Sequence, residues 1–233
     1  MNRLQTLSDC VVILCVATII AAQTARTVPA ANEKPTFVWI EGEATTKTNV
    51  PWNGWIMGQP YGREHLSRGK ALAGMIKKPA ADPGPKPCYA HYQFDCPAGG
   101  SYTLFMHHGY MDHLGVMRYR FIKLGDDGKA VKGLAEEEGW REYDVTVPIL
   151  DKREIGHHRQ IQWTRQEAPI TLEKGAYALE IQFTGPSRKK PDMFWILIDA
   201  ICLTTDPFTP SGVLKPGEKP DPTPAPAEVE EAR

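Results

Sequence analysis

Residues 175–186 read GAYALEIQFTGP. Tyr177, Leu179, Ile181 and Phe183 alternate with Ala178, Glu180 and Gln182. A period of two sends the apolar set to one face and the others to the opposite face, which predicts a half-buried strand. Gly175 before it and Gly185-Pro186 after it supply the turns. The same pattern recurs outward from this stretch. Tyr102, Leu104 and Met106 alternate after Gly99-Gly100, and Met117, Tyr119 and Phe121 alternate up to the hairpin-type turn Gly125-Asp126-Asp127-Gly128. Tyr143, Val145 and Val147 predict a further strand. Residues 194–203 (FWILIDAICL) are apolar on both faces and predict a central, buried strand. Residues 37–43 (FVWIEGE) form the opening strand, placed to pair with that last one. Helical periodicity is limited to one short helix at most, over Ala130–Gly139. Short strands punctuated by Gly and Pro predict an all-β fold, an antiparallel β-sandwich or jelly roll.

The ends read differently. Arg3 precedes the apolar run 11–22 (VVILCVATIIAA), with small residues at Ala21, Ala22 and Ala25. That predicts a signal peptide over 1–25 and a secreted, periplasmic or cell-surface protein; the run is short for a membrane span, and no span is expected after cleavage. Residues 26–35 read as a linker and 36–206 as the domain. Residues 207–233 form a Pro-rich, terminally acidic tail, expected to be extended and disordered. Of 233 residues, 42% are hydrophobic and the net charge is −1, so a core is available and no electrostatic case for nucleic acid exists. Cys88, Cys96 and Cys202 lie outside the signal. The first two bracket one strand spanning about 26 Å at ~3.3 Å per residue, too far for a disulfide, so buried free thiols are expected.

Three carboxylates stand out. Period two places Glu41 and Glu43 on one face, where like charges repel. Asp199 interrupts an apolar strand, and a buried carboxylate must be paired, protonated or metal-bound. If the first and last strands are neighbours, one hard cation such as calcium satisfies all three acids. The alternative is that the glutamates face solvent while Asp199 caps a turn or pairs with an arginine.

The chain resembles the calcium-containing carbohydrate-binding modules of families 6 and 35. Three stretches carry the resemblance: Ile40-Glu41-Gly42-Glu43-Ala44, residues 163–179 (WTRQEAPITLEKGAYAL), and Ile198-Asp199-Ala200-Ile201-Cys202-Leu203-Thr204. The resemblance implies a galactose-binding-like β-sandwich with a structural calcium held by Glu41, Glu43 and Asp199. It also implies a carbohydrate or polysaccharide ligand bound without being transformed, and a separate glycan-degrading enzyme as partner. The segment around His107-His108-Gly109-Tyr110 departs from the arginine-bearing strand common in that family.

Sugar rings stack an apolar face on flat aromatics while their hydroxyls need fixed polar partners. Residues 49–61 (NVPWNGWIMGQPY) are the richest such loop, which nominates Trp52, Asn53 and Trp55. His108 and Tyr110 are added from the segment after a strand, where a solvated turn is the competing reading. Asp192, just before the last strand, is added from related modules. Trp140 and Trp163 are expected to pack.

Other classes fit less well. His107, His108, His113, His157 and His158 lack any compact ligand motif. Glu136, Glu137, Glu138, Glu154 and Glu167 lack the facing carboxylate that a glycoside hydrolase or lyase on a jelly roll needs. An exported structural or protein-binding sandwich remains the alternative to a glycan-binding one.

Overall fold

In the computed structural model, the described residues are 36–55, 63–77, 88–109, 115–131, 138–144, 147–154, 160–187 and 192–219. They belong to the compact unit Pro35–Arg233. The predicted signal and linker, most of the suggested short helix, Val145 and the end of the tail lie outside them. The strands are β1 (Phe37–Glu41), β2 (Lys47–Thr48), β3 (Trp52–Trp55), β4 (Ala71–Lys77), β5 (Cys88–Cys96), β6 (Gly100–Gly109), β7 (Gly115–Lys123), β8 (Arg141–Glu142), β9 (Ile149–Glu154), β10 (Gln160–Arg165), β11 (Ile170–Leu172), β12 (Gly175–Ser187) and β13 (Met193–Thr204). All the strand pairs are antiparallel. Two sheets form a sandwich. The larger runs β3-β4-β13-β6-β10-β9, with β1 on β13 and β11 on β6; the smaller runs β2-β5-β12-β7-β8. Among the described residues no helix is long and apolar enough to cross a membrane.

β12 is the central strand of the smaller sheet, between β5 and β7, and its four alternating apolar residues are buried. They meet Tyr102, Leu104 and Met106 of β6 and Ile196, Ile198, Ile201 and Leu203 of β13 in one core. That last set reveals why residues 194–203 read as apolar on both faces. The register slips between Ile198, opposite His108, and Ala200, opposite His107. One extra residue, Asp199, makes a β-bulge, and a bulge shifts the alternation by one. Ile196 and Ile198 point inward before it, and Ile201 and Leu203 point inward after it. Ala200 and Cys202 turn to the outer face, where they pack with Phe105 and Trp163. The expected pairing of the first and last strands is present, with Glu41 opposite Ala200.

The chain's own C-terminal segment is a strap that covers the outer face of the larger sheet over β6 and β10. Phe208 packs edge-on against Phe105 and Trp163, with ring centroids 5.2 and 5.9 Å away. The Trp163 indole N–H donates to the Gly212 carbonyl at 2.6 Å, and the Gly212 N–H donates to Asp151 at 2.6 Å. The domain therefore runs past residue 206, with tertiary contacts as far as Lys215. The expectation of disorder from residue 207 onward is corrected: one phenylalanine and a few backbone contacts anchor a segment whose proline content suggests a free tail. Cys88, Cys96 and Cys202 are free and buried, as expected.

Candidate functional site

β1 stops at Glu41, and Gly42 and Glu43 form a turn closed by the Ala44 N–H on the Glu41 carbonyl. The glutamates therefore do not share one strand face, because the strand ends between them. Gly42 donates its N–H to the Asp199 carbonyl at 2.6 Å and accepts the Tyr92 hydroxyl at 2.9 Å. A side-chain carbon at position 42 would run into the Ile198 carbonyl oxygen. Only glycine lets the turn sit against the bulge, a signal that lay between the two glutamates.

The bulge presents the Asp199 carboxyl to a fully buried site. Oδ1 accepts the Ser67 N–H at 2.8 Å, and Oδ2 lies 2.7 Å from His107 Nδ1. Ser67 is held by a 3-10 turn, Ser67–Gly69, in which Arg68 adopts a φ of 53°. Burial pushes the Asp199 carboxyl up to about 8; the Ser67 N–H opposes the rise, and Glu41 and Glu43 add to it. Burial likewise lowers His107 to about 3, with Asp151 opposing and His65 and Arg153 assisting. Both shifts favour an uncharged pair in which the Asp199 hydroxyl donates to Nδ1.

Glu41 is 6% exposed, and neither of its carboxylate oxygens has a hydrogen bond; the same holds for Glu43 Oε2. Two cations face Glu41 Oε1 without hydrogen-bond geometry, Arg68 Nε at 3.2 Å and Lys215 Nζ at 3.9 Å. Among the described residues no three His, Cys, Asp or Glu side chains already stand at the spacing of a metal shell. The carboxylate oxygens without hydrogen bonds are hard donors, the type calcium takes. Beside them, His107 stacks on Trp163 at 4.7 Å, and Trp39 lies 5.5 Å from Trp163. His107 Nε2 and Trp39 Nε1 are also buried without partners.

The aromatic stretch expected to be a loop begins as an edge strand. Trp52 sits opposite Ala73, and the register slips between Asn53 and Trp55 around Gly54, which has a φ of 74°. Trp52 is 44% exposed and Met75, two residues along from its partner, is 47% exposed. Asn53 is exposed and donates its amide to Thr45 Oγ1 at 2.9 Å. Asp192 is exposed in the turn leading into β13, whose first residue, Met193, pairs with Lys77 at the end of β4. Trp52, Asn53 and Asp192 therefore border one group of strands. The side chain of Trp55 and all of Tyr110 lie outside the described residues.

His108 is corrected as a ligand contact. It is fully buried, with Nε2 3.0 Å from Thr164 Oγ1 and Nδ1 3.0 Å from the Gly109 carbonyl. The bulge at Asp199 sets His107 opposite Ala200 on the outer face, leaving His108 to face inward. Trp163 is buried, as expected, and Trp140 lies under the guanidinium groups of Arg118 and Arg120.

No family model and no curated protein matches the chain. Solved structures do. The C-terminal family 6 carbohydrate-binding module of LamC, a marine laminarinase from Zobellia galactanivorans, is similar at 14% identity and a TM-score of 0.36, over 72% of this chain and 99% of that one. The family 6 module of Cellvibrio mixtus lichenase 5A, solved with cellotriose, is similar at 10% identity and a TM-score of 0.30, over 73% and 98%. A family 35 carbohydrate-binding module from Clostridium thermocellum is similar at 12% identity and a TM-score of 0.29, over 59% and 93%.

Proposed function

We propose that this chain is an exported, non-catalytic glycan-binding module whose ligand stacks on Trp52. The observation that carries the reading is an indole left 44% exposed on an edge strand. The indole supplies the flat apolar surface that a pyranose ring needs. Asp192, exposed before β13, is proposed as a further polar contact for a longer glycan. Screening wild type and Trp52→Ala against a panel of polysaccharides tests this. Binding that weakens about tenfold or more in the variant is expected for a stacked tryptophan. A wild type that binds no glycan, or a variant that binds equally well, overturns it; binding to a protein partner through Trp52 would favour an exported protein-docking sandwich.

The same reading includes a structural calcium at Glu41, Glu43 and Asp199. Its support is the set of buried carboxylate oxygens on the two glutamates that make no hydrogen bond. The ion would offset the negative charge gathered there, and it would tie the β1 turn to the bulge in β13. A ligand that binds only the folded state raises its stability, so the melting temperature is expected to fall in excess chelator. An unchanged value removes calcium from the proposal.

A further inference from the structure

We infer that Asn53–Gly54 is a self-modifying site: the Asn53 amide closes on the Gly54 peptide nitrogen, and deamidation gives the strand that carries Trp52 a new negative charge and, in part, a lengthened main chain. The chemistry stands on the local structure alone; its effect on binding rests on the glycan reading of Trp52.

The reaction needs an asparagine free to turn onto the next peptide nitrogen, and a next residue that neither crowds nor locks that nitrogen. Of four asparagines in the chain, Asn49 and Asn53 lie among the described residues. Their surroundings are opposite. Asn49 Oδ1 accepts the Tyr89 N–H at 2.7 Å. The residue after it, Val50, is buried and β-branched, and its N–H donates to Thr48 Oγ1 at 3.0 Å. Asn53 is exposed on the edge strand, and Gly54 falls in the register slip between Asn53 and Trp55. A residue inserted at such a slip is left without a ladder partner. Gly54 has a φ of 74°, and among the described residues nothing lies within 4 Å of where its side chain would begin. The Asn53 amide donates to Thr45 Oγ1 at 2.9 Å, an exposed bond that water readily replaces. Asp127–Gly128 has the same spacing but not the same freedom. There the Gly128 N–H donates to the Gly125 carbonyl at 2.9 Å, and Asp127 Oδ1 accepts the Lys129 N–H at 3.0 Å.

A solvent base takes the proton from the Gly54 nitrogen. That nitrogen forms a bond to Asn53 Cγ, the Cγ–Nδ2 bond breaks, and Nδ2 takes a proton from water and leaves as ammonia. Water then adds to one of the two carbonyl carbons of the cyclic imide. Opening at the bond to Cγ leaves an aspartate in an ordinary main chain. Opening at the other carbonyl leaves an isoaspartate, whose main chain runs through the side chain and is longer by one carbon. Either route consumes one water and releases one ammonia, and nothing is oxidised or reduced. The slip that sets Trp52 opposite Ala73 and Trp55 opposite Ala71 must then absorb the added charge and, in the isoaspartate form, the added carbon.

The experiment incubates the full chain at neutral and at mildly alkaline pH, as wild type and as Gly54→Ala. Peptide mass mapping reads the exchange of NH2 for OH at Asn53 and Asn49, and isoaspartyl methyltransferase labelling reads isoaspartate. The hydrogen bonds that fix Asn49 and Val50 must break before that pair can react, so Asn53 is expected to react at least about tenfold faster. Alkaline pH should speed the reaction, and Gly54→Ala, which crowds the nitrogen, should slow it. An Asn53 that stays intact, that reacts no faster than Asn49, or that reacts equally fast in Gly54→Ala overturns the inference. The modified chain, separated by anion exchange, is expected to bind polysaccharide several-fold more weakly than the fresh chain. Equal binding overturns the coupling to Trp52 and leaves the modification site standing. A fresh chain that binds no glycan overturns the glycan reading, and the coupling falls with it.

Discussion

Among the described residues, the outer face of the larger sheet has a covered half and a bare half. Over β1, β6 and β10, Trp163 is fully buried beneath Phe208 and Gly212, with Trp39 and Phe105 beside it. Over β3 and β4, Trp52 and Met75 remain 44% and 47% exposed. Both halves offer aromatic and apolar side chains on one pleated surface. What separates them is the path of the C-terminal segment. Where that segment passes, an indole gains a backbone acceptor and becomes core. Where it does not, the indole stays exposed. Among the described residues an aromatic face is thus covered or left open by what crosses it, a decision made far away in the chain.

The sharpest way to break this contrast is to remove one indole from each half. Trp163→Ala should destabilise the domain by about 3–5 kcal/mol, as large-to-small changes in a packed aromatic site do. Trp52→Ala should stay within about 0.5 kcal/mol of wild type, as an exposed position does, while losing glycan binding. Chemical denaturation of both variants checks this. Comparable losses of stability would mean that the bare half is structural after all.

Acidification tests the interior independently of either half. Burial lowers His108 to about 4, aided by His107 and opposed by the Gly109 carbonyl. The unfolded chain then takes up this proton at a higher pH than the folded one, so the contribution of His108 is complete above about pH 6.5 and is lost as pH falls toward 4. The loss amounts to about 3 kcal/mol at the acid end. Denaturation midpoints between pH 7 and 4 should fall less steeply in His108→Gln. The same difference should persist in a chain truncated after Asp206, because His108 faces the core and not the strap. An equal slope in His108→Gln and wild type would sink this assignment.

That truncation is itself the next largest test. Removing residues 207–233 deletes Phe208 and the Gly212 hydrogen bonds, which together contribute about 2 kcal/mol. It uncovers Trp39 and Trp163, so tryptophan emission should shift to the red. Binding through Trp52 should survive. A truncated chain as stable as wild type would show that the strap merely rests on the sheet.

The sequence disclosed the sandwich because β12 alternates cleanly and because Gly and Pro mark its ends. It also disclosed that Glu41, Glu43 and Asp199 need an explanation, since buried carboxylates are expensive whatever the fold. It did not disclose their partners. His107 meets Asp199 from 92 residues away in the chain, and no local pattern encodes such a contact. The bulge was legible in principle: inward residues step by two from Ile196 to Ile198, then by three to Ile201. Read without that step, the strand is merely apolar throughout, and His107 and His108 cannot be assigned to faces. Lys215 was hidden by composition, since a Pro-rich segment with one phenylalanine has the statistics of a free tail and the contacts of a strap.

The smallest expected effect concerns the shape of the bare edge. Gly54 has a φ of 74° and nothing within 4 Å of where a side chain would begin. Gly54→Ala therefore meets no clash, only the strain of a left-handed backbone, about 1 kcal/mol. That strain is confined to the two-strand edge where the register slips beside Asn53. If glycan affinity depends on how this bulge aims Trp52, the variant should lose several-fold in binding while its melting temperature drops by only a few degrees. The opposite pattern, unchanged affinity with the same small loss of stability, would mean that the indole binds as a loose flat surface, and that the bare half needs exposure but no defined geometry.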